Sequence, residues 1–365
     1  MRQFLDYNIH DILKFQIIRN GKFGFRDLLN LRFSCFETGQ VDKPDIVLNI
    51  GRFTPSNENC YLVDYKYYIK DDYFYCHESE GKARWEVEIT GLEQGDTVIN
   101  LHVSTRRQIQ PVDLLRILLF LPQSFLLRII EHKLGVKGYF LTHSAAISKD
   151  NQAYLLSGRA GGFKTSLCMD FVRRAGFTCL GDDRVILYRD RVLSFPMNYA
   201  MFEFMTQRLP DETHFGILKQ VQFVVEQFRG KHKKREENGG KSAKLNAMFL
   251  IAKSSGLHTS KKVSFEPLPQ PSLEQVVNNL LLSARLEDFS GMGMPSFGIS
   301  SAPFLRYMLA YSFVFPGSPV ATLEEKLAES LRSSLKNIPI YRVEIPSDYS
   351  PDTFDQIHQF IARNC

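Results

Sequence analysis

No apolar run in this chain is long enough to cross a bilayer, no cysteines stand at metal-ligand spacing, no segment repeats, and neither sign of charge dominates. Each absence removes a class of function. The most apolar segment, Pro111 to Gly135, is broken by Arg116, Pro122, Gln123 and Arg128, so no stretch approaches the roughly 20 residues of a membrane helix. The six cysteines, at 35, 60, 76, 168, 179 and 365, make no CxxC or Cys/His pattern, which argues against both a disulfide framework and structural zinc. They read as reduced thiols in cytoplasm. The start, MRQFLDYNIHDILKF, lacks the continuous apolar core and small-residue cleavage site of a secretory leader, and no export is expected. The formal net charge of +5 owes much to one local cluster, so a nucleic-acid partner is not indicated.

What is present is an ordinary globular composition, 44% apolar and 23% charged over 365 residues, enough for a sizeable core and two domains. Residues 1 to 107 read as a mostly β domain. Ile46 to Ile50, Cys60 to Ile69, Tyr73 to Cys76, Trp85 to Ile89 and Thr97 to Val103 are rich in β-branched and aromatic residues between Gly, Asn and Asp turns. Tyr61, Tyr65, Tyr67, Tyr68, Tyr73 and Tyr75 fit core positions and cross-strand pairs better than a ligand-stacking face. Residues 108 to 136 read as a helical connector of two helices, the second opened by Pro122.

The chemistry is stated between Tyr139 and Tyr188. The apolar strand Ala153 to Leu156 leads into Gly158-Arg159-Ala160-Gly161-Gly162-Phe163-Lys164-Thr165, and Ser166 to Arg174 has helical spacing. Strand, glycine-rich loop, Lys-Thr and helix is the arrangement that cradles phosphates. Glycines let backbone N–H groups curl inward, the positive end of the helix faces the same anion, the lysine reaches the outer phosphates, and the hydroxyl holds magnesium. That pattern asks for glycine just before the lysine, where this chain has Phe163. A phenylalanine forced to positive φ there is strained by about 1–3 kcal/mol; the alternatives are a remodelled loop or a weakened nucleotide site.

One strand later come Gly181-Asp182-Asp183. If the next strand is the parallel neighbour of the first, carboxylates at its end reach the magnesium and the outer phosphate. Alternation along an extended strand turns the two side chains apart, so one is expected at the metal and nucleophile and the other among structural partners.

His143, the strand, the loop, the helix and Gly-Asp-Asp-Arg-Val together resemble the catalytic core of the HPr kinase/phosphorylase C-terminal domain, including stand-alone relatives that phosphorylate serine in peptides or as the free amino acid. The resemblance is strong over about Tyr139 to Tyr188. It implies an α/β P-loop core of the HPr kinase/PEP carboxykinase-like type, a mixed sheet with flanking helices, over 137 to 365. It further implies ATP on Gly158, Arg159, Ala160, Gly161, Gly162, Phe163, Lys164, Thr165 and Ser166, and magnesium on Thr165 and Asp183. Lys164, His143, Asp182 and Asp183 would be catalytic, the aspartates as general base and metal or water contact, with Asp182 favoured as base. Read without the resemblance, His143 fits a buried core histidine equally well. The family's arginine-bearing substrate loop is not found here.

Beyond Tyr188, Arg189 to Arg191 reads as a turn and Val192 to Phe195 as a strand, together a hairpin. Lys219 to Phe228 reads as a short helix before the charge run Arg229 to Lys241, which is either a solvated loop or one that closes over ATP or an acidic substrate. Pro196 to Pro210 carries no assignment, and Gly291 to Pro295 reads as a connection. Ala247 to Ala252 and Val263 to Leu268 read as strands, and Ser272 to Leu286, with Ser272 as cap, as a helix. Ser301 to Ser312 and Thr322 to Leu335 read as helices, and Pro339 to Ile345 with Thr353 to Ala362 as a last strand and helix. The expected activity is ATP-dependent phosphoryl transfer to a hydroxyl of a peptide, protein or small molecule, with a homo-oligomer left open. The alternatives are an ATP-binding or hydrolysing regulator and a P-loop scaffold that has lost its nucleotide.

Overall fold

Leu5, Tyr7 and Ile9, then Leu13, Phe15 and Ile17, are buried at every second position, the period of a strand with one face on a core. They lie on β1 (Arg2–Ile9) and β2 (Leu13–Asn20), paired antiparallel through a turn in which His10 and Asp11 take positive φ. The computed structural model describes residues 2–20, 33–80, 83–105, 111–159, 161–196, 242–254, 262–286 and 302–365. The segments read above as Lys219 to Phe228, Arg229 to Lys241 and Gly291 to Pro295 lie outside these residues, as do Ala160 and all of Pro196 to Pro210 except Pro196. The chain divides into two compact units, Met1–Gly138 with Asp288–Leu327, and Tyr139–Glu287 with Ala328–Cys365.

In the first unit β3 (Ile46–Ile50), β4 (Tyr61–Val63), β5 (Tyr67–Lys70), β6 (Tyr73–Glu80), β7 (Ala83–Thr90) and β8 (Thr97–Thr105) complete an eight-stranded sheet. Its order is β1-β2-β3-β8-β7-β6-β5-β4. β3 runs parallel to both β2 and β8 and the other pairs are antiparallel, so the sheet is mixed. The run Cys60 to Ile69 is two strands rather than one. Asp64 and Tyr65 take φ of 51° and 57° and fold it back on itself. Tyr67, Tyr73 and Tyr75 are buried and Tyr68 packs across the strands on Tyr75, whereas Tyr61 and Tyr65 are exposed. The segment read as two helices is one, α1 (Pro111–Val136), with Pro122 inside it. An interior proline removes one backbone hydrogen bond and costs about 3 kcal/mol. Burial of Phe125, Leu126, Leu127, Ile129, Ile130 and Leu134 just beyond it offsets that cost.

The second unit opens with β9 (Phe140–Thr142), β10 (Ser144–Lys149) and β11 (Gln152–Ser157), followed by α2 (Lys164–Ala175) and β12 (Thr178–Gly181). β13 (Val185–Tyr188) and β14 (Arg191–Ser194) make the hairpin expected around Arg189. After β15 (Ser242–Lys253) and β16 (Ser264–Pro267) comes α3 (Leu273–Leu286). Ser272 is the last residue of a 3-10 turn that runs directly into α3. α4 (Ala302–Val314) belongs to the first unit, where Tyr307 stacks on Phe74 and Phe125. α5 (Pro319–Leu335) follows, and β17 (Ile340–Ile345) and α6 (Pro351–Asn364) close the chain. Ser350 caps α6, its Oγ accepting from the Thr353 N–H at 3.3 Å.

The sheet of the second unit is nine-stranded, in the order β12-β10-β11-β15-β14-β13-β9, with β17 pairing the far half of β15 and β16 pairing β17. β11, β15 and β17 are parallel. Leu156, Phe171, Phe249, Val343, Phe354 and Ile357 form the core between the sheet, α2 and α6. The protein is thus mixed α/β with a mostly β amino-terminal region. No helix among the described residues is long and apolar enough to cross a membrane.

Candidate phosphate-binding site

β10 and β11 form a hairpin whose turn, Asp150 and Asn151, has φ of 51° and 61°. Those are residue types that tolerate this conformation. β11 then delivers the chain to the carboxyl edge of the parallel strands, the edge at which α/β sheets bind ligands. Gly158 comes first, and a Cβ there would lie 2.5 Å from the Ile251 carbonyl oxygen of β15. Only glycine lets the loop leave the sheet so close to its neighbour. Arg159 and Gly161 are exposed, Gly162 is buried, and the Gly162 N–H donates to the Arg159 carbonyl at 3.2 Å, which closes the turn.

Phe163 takes the position immediately before the helix with φ 56° and ψ 21°, so the left-handed conformation expected of a glycine is kept by a phenylalanine. Its ring is not left in solvent. It packs on Tyr349 at 5.5 Å, and the Lys253 ammonium stands 4.7 Å from its centroid. Lys164 begins α2, is buried, and folds its ammonium back to donate to the carbonyls of Gly158 and Arg159. Thr165 and Ser166 follow, half-buried, in the first turn. That turn holds no acidic residue and no side chain caps it, so the orphan N–H groups of the helix start point toward the loop without a built-in acceptor.

The acidic pair reaches the same sheet edge by a different route from the expected one. β12 is not the neighbour of β11: β10 lies between them, antiparallel to both. β12 nevertheless runs in the direction of β11, because two antiparallel pairings restore it. Asp182 and Asp183 sit in the bend after β12 rather than on extended strand, a bend that only glycine can start, since a Cβ on Gly181 would lie 2.1 Å from the Arg184 carbonyl oxygen. The two carboxyls do have different surroundings. Asp182 is buried, and burial, with the neighbouring Asp183 charge adding, pushes its pKa up to about 7. Asp183 is more open and lies 3.5 Å from Nδ1 of His143, which is itself buried between β9 and β10. His143 is therefore both a buried histidine and a neighbour of the acidic pair.

Among the described residues no group of three or more His, Cys, Asp or Glu side chains is placed to hold a metal ion. A divalent ion at this edge would have to draw on Thr165, Asp183 and the ligand's own oxygens. The uncapped helix start and the close-packed glycine cradle fit a polyphosphate, and the desolvated Asp182 fits a proton acceptor beside it. Compared with known proteins, the chain matches no protein-family model and has no significant match among curated proteins. Sequence reasoning missed Lys253 and Tyr349. The only sign of Lys253 was its place at the end of the apolar run Ala247 to Ala252.

Proposed function

We propose that this protein is an ATP-dependent phosphotransferase with a core of the HPr kinase/phosphorylase type, acting on a hydroxyl of a peptide, protein or small molecule such as serine. The observation that carries the reading is Lys164 at the start of α2, folded over the glycine loop. Bound ATP with magnesium would supply the phosphoryl group and a divalent charge to share among its oxygens. The backbone of Gly158 to Thr165 and the helix start bind and orient that ligand, and Lys164 exchanges its loop carbonyls for phosphate oxygens. Asp182, with a pKa raised to about 7, is tuned to accept a hydroxyl proton near neutral pH. Asp183, whose carboxyl lies 3.5 Å from His143 Nδ1, serves the metal side with Thr165. Most of the catalysis is positioning and electrostatics, and a cytoplasmic location is part of the proposal.

Titration calorimetry of wild type and Lys164→Ala with ATP and magnesium tests the nucleotide site. Affinity is expected to fall at least about tenfold, equivalent to about 1.4 kcal/mol. Equal affinities, or no binding to either protein, would remove the reading. A screen of peptides, free serine and small proteins with labelled ATP then tests transfer. Hydrolysis without any labelled acceptor would favour the regulator instead.

A further inference from the structure

We propose that Lys253 is a second phosphate-binding lysine of this site, held against the Phe163 ring until a polyanion arrives. The inference rests on the nucleotide reading above and adds a residue to it. Lys253 ends β15, which runs parallel to β11 with Leu250 level with Ser157. Three residues further on, Lys253 therefore lies past the end of β11, on the side where the loop emerges. The close approach of Ile251 to Gly158 shows that this end of β15 borders the loop.

The surroundings of the ammonium point to an anionic ligand. Lys253 is exposed and, among the described residues, its ammonium makes no ion pair or hydrogen bond; its contact is the face of Phe163, 4.7 Å away. Phe163 is the residue immediately before α2. A helix start carries partial positive charge and repels cations, Lys164 adds a full charge at the next position, and α2 has no acidic residue in its first turn. Attraction to the ring offsets that repulsion, and a polyphosphate would reverse its sign. The same geometry accounts for Phe163: a glycine would take the left-handed backbone without strain but could not hold the lysine.

The test compares wild type, Lys253→Met and Lys253→Arg in calorimetric titrations with ATP and magnesium, alongside the melting temperature of each ligand-free protein. Lys253→Met is expected to bind about tenfold more weakly, as loss of one charge-assisted contact implies. Lys253→Arg should stay within about threefold, and ligand-free melting should be unchanged or slightly higher, since a repelled cation has gone. Wild-type affinity in Lys253→Met would overturn the proposal, as would a loss matched by lower ligand-free melting and not rescued by arginine. No binding to wild type would overturn the nucleotide reading itself, a result distinct from binding that is indifferent to Lys253.

Discussion

Glu88 in the first unit and Asp182 in the second are buried to nearly the same degree, 6% and 7% exposed, but in opposite company. Glu88 accepts from the Tyr73 hydroxyl at 2.9 Å, the Ser56 N–H at 2.8 Å and the Asn100 amide at 2.8 Å. Lys133, also buried there, donates to the carbonyls of Gly91 and Gly95. Both groups are well hydrogen-bonded, and buried polar groups paired in this way fix a fold. Among the described residues Asp182 accepts from no other side chain, and its neighbour Asp183 carries the same charge. Burial without a side-chain donor pushes the Asp182 pKa up, and under the proposed function that tunes it for proton transfer. Under the proposed function the chemistry belongs to the second unit, and the buried polar groups of the first serve its architecture.

The largest expected effect separates the two carboxyls by function. Asp182→Asn should keep ATP and magnesium binding and slow transfer by about 10²–10⁴, the worth of a general base, while Asp183→Asn should weaken metal-dependent binding. Glu88→Gln should leave transfer unchanged and destabilise the protein by about 1–3 kcal/mol, because its donors lose a charged acceptor. Single-turnover kinetics, binding and denaturation on the three variants decide it. Near-wild-type transfer in both aspartate variants would remove the pair from the mechanism.

A second contrast is in pH. Asp182 has a folded pKa of about 7, above its unfolded value of about 4. Between those limits the folded state keeps a proton that the unfolded state has released, so stability falls as pH rises from about 4 to about 7 and then levels. In the first unit burial, with the Lys133 charge adding, lowers the pKa of His132 to about 4, below the unfolded value of about 6.5. Its contribution is present above pH 6.5 and is lost as pH falls toward 4. Each effect is on the order of 2–4 kcal/mol. Asp182→Asn should therefore gain stability over wild type at pH 8 and none at pH 4, and His132→Gln should flatten the acid side. Parallel pH curves for wild type and variants would break the contrast.

Local structure was legible in the sequence; the long-range partners of each segment were not. The bend at Gly181 replaces the extended strand end expected there, whereas the hairpin at Arg189 and the helix after Lys164 follow from neighbours in the chain. The interposed strand β10 does not, because strand order is decided by pairings across the sheet, and an Asp-Asn turn says only that β10 and β11 pair. Pro122 misled for a related reason: the burial that carries α1 through it comes from tertiary packing. The alternation of β1 and β2, by contrast, is a purely local signal. Lys253 and Tyr349 reach Phe163 from segments remote in sequence, and no local pattern announces such a meeting.

The smallest expected effect concerns two aromatic residues in left-handed backbone, one in each unit. Tyr65 tips the turn between β4 and β5 with φ 57° and is 95% exposed; Phe163 has φ 56°, with its ring on Tyr349 and under Lys253. Backbone strain of about 1–3 kcal/mol is common to both, and glycine would relieve it at an entropic cost of about 0.5–1 kcal/mol. For Tyr65→Gly nothing further is lost, so stability should hold or rise slightly and ligand binding should not change. For Phe163→Gly the relief is cancelled by the lost ring contacts, leaving ligand-free stability within about 1 kcal/mol of wild type. Its affinity for ATP with magnesium should nonetheless fall by about three- to tenfold, because the helix start keeps its geometry while Lys253 loses its seat. Calorimetry and denaturation on both variants check this. Tighter binding by Phe163→Gly would show that the phenylalanine is only tolerated strain, and the two aromatics would then differ in nothing but exposure.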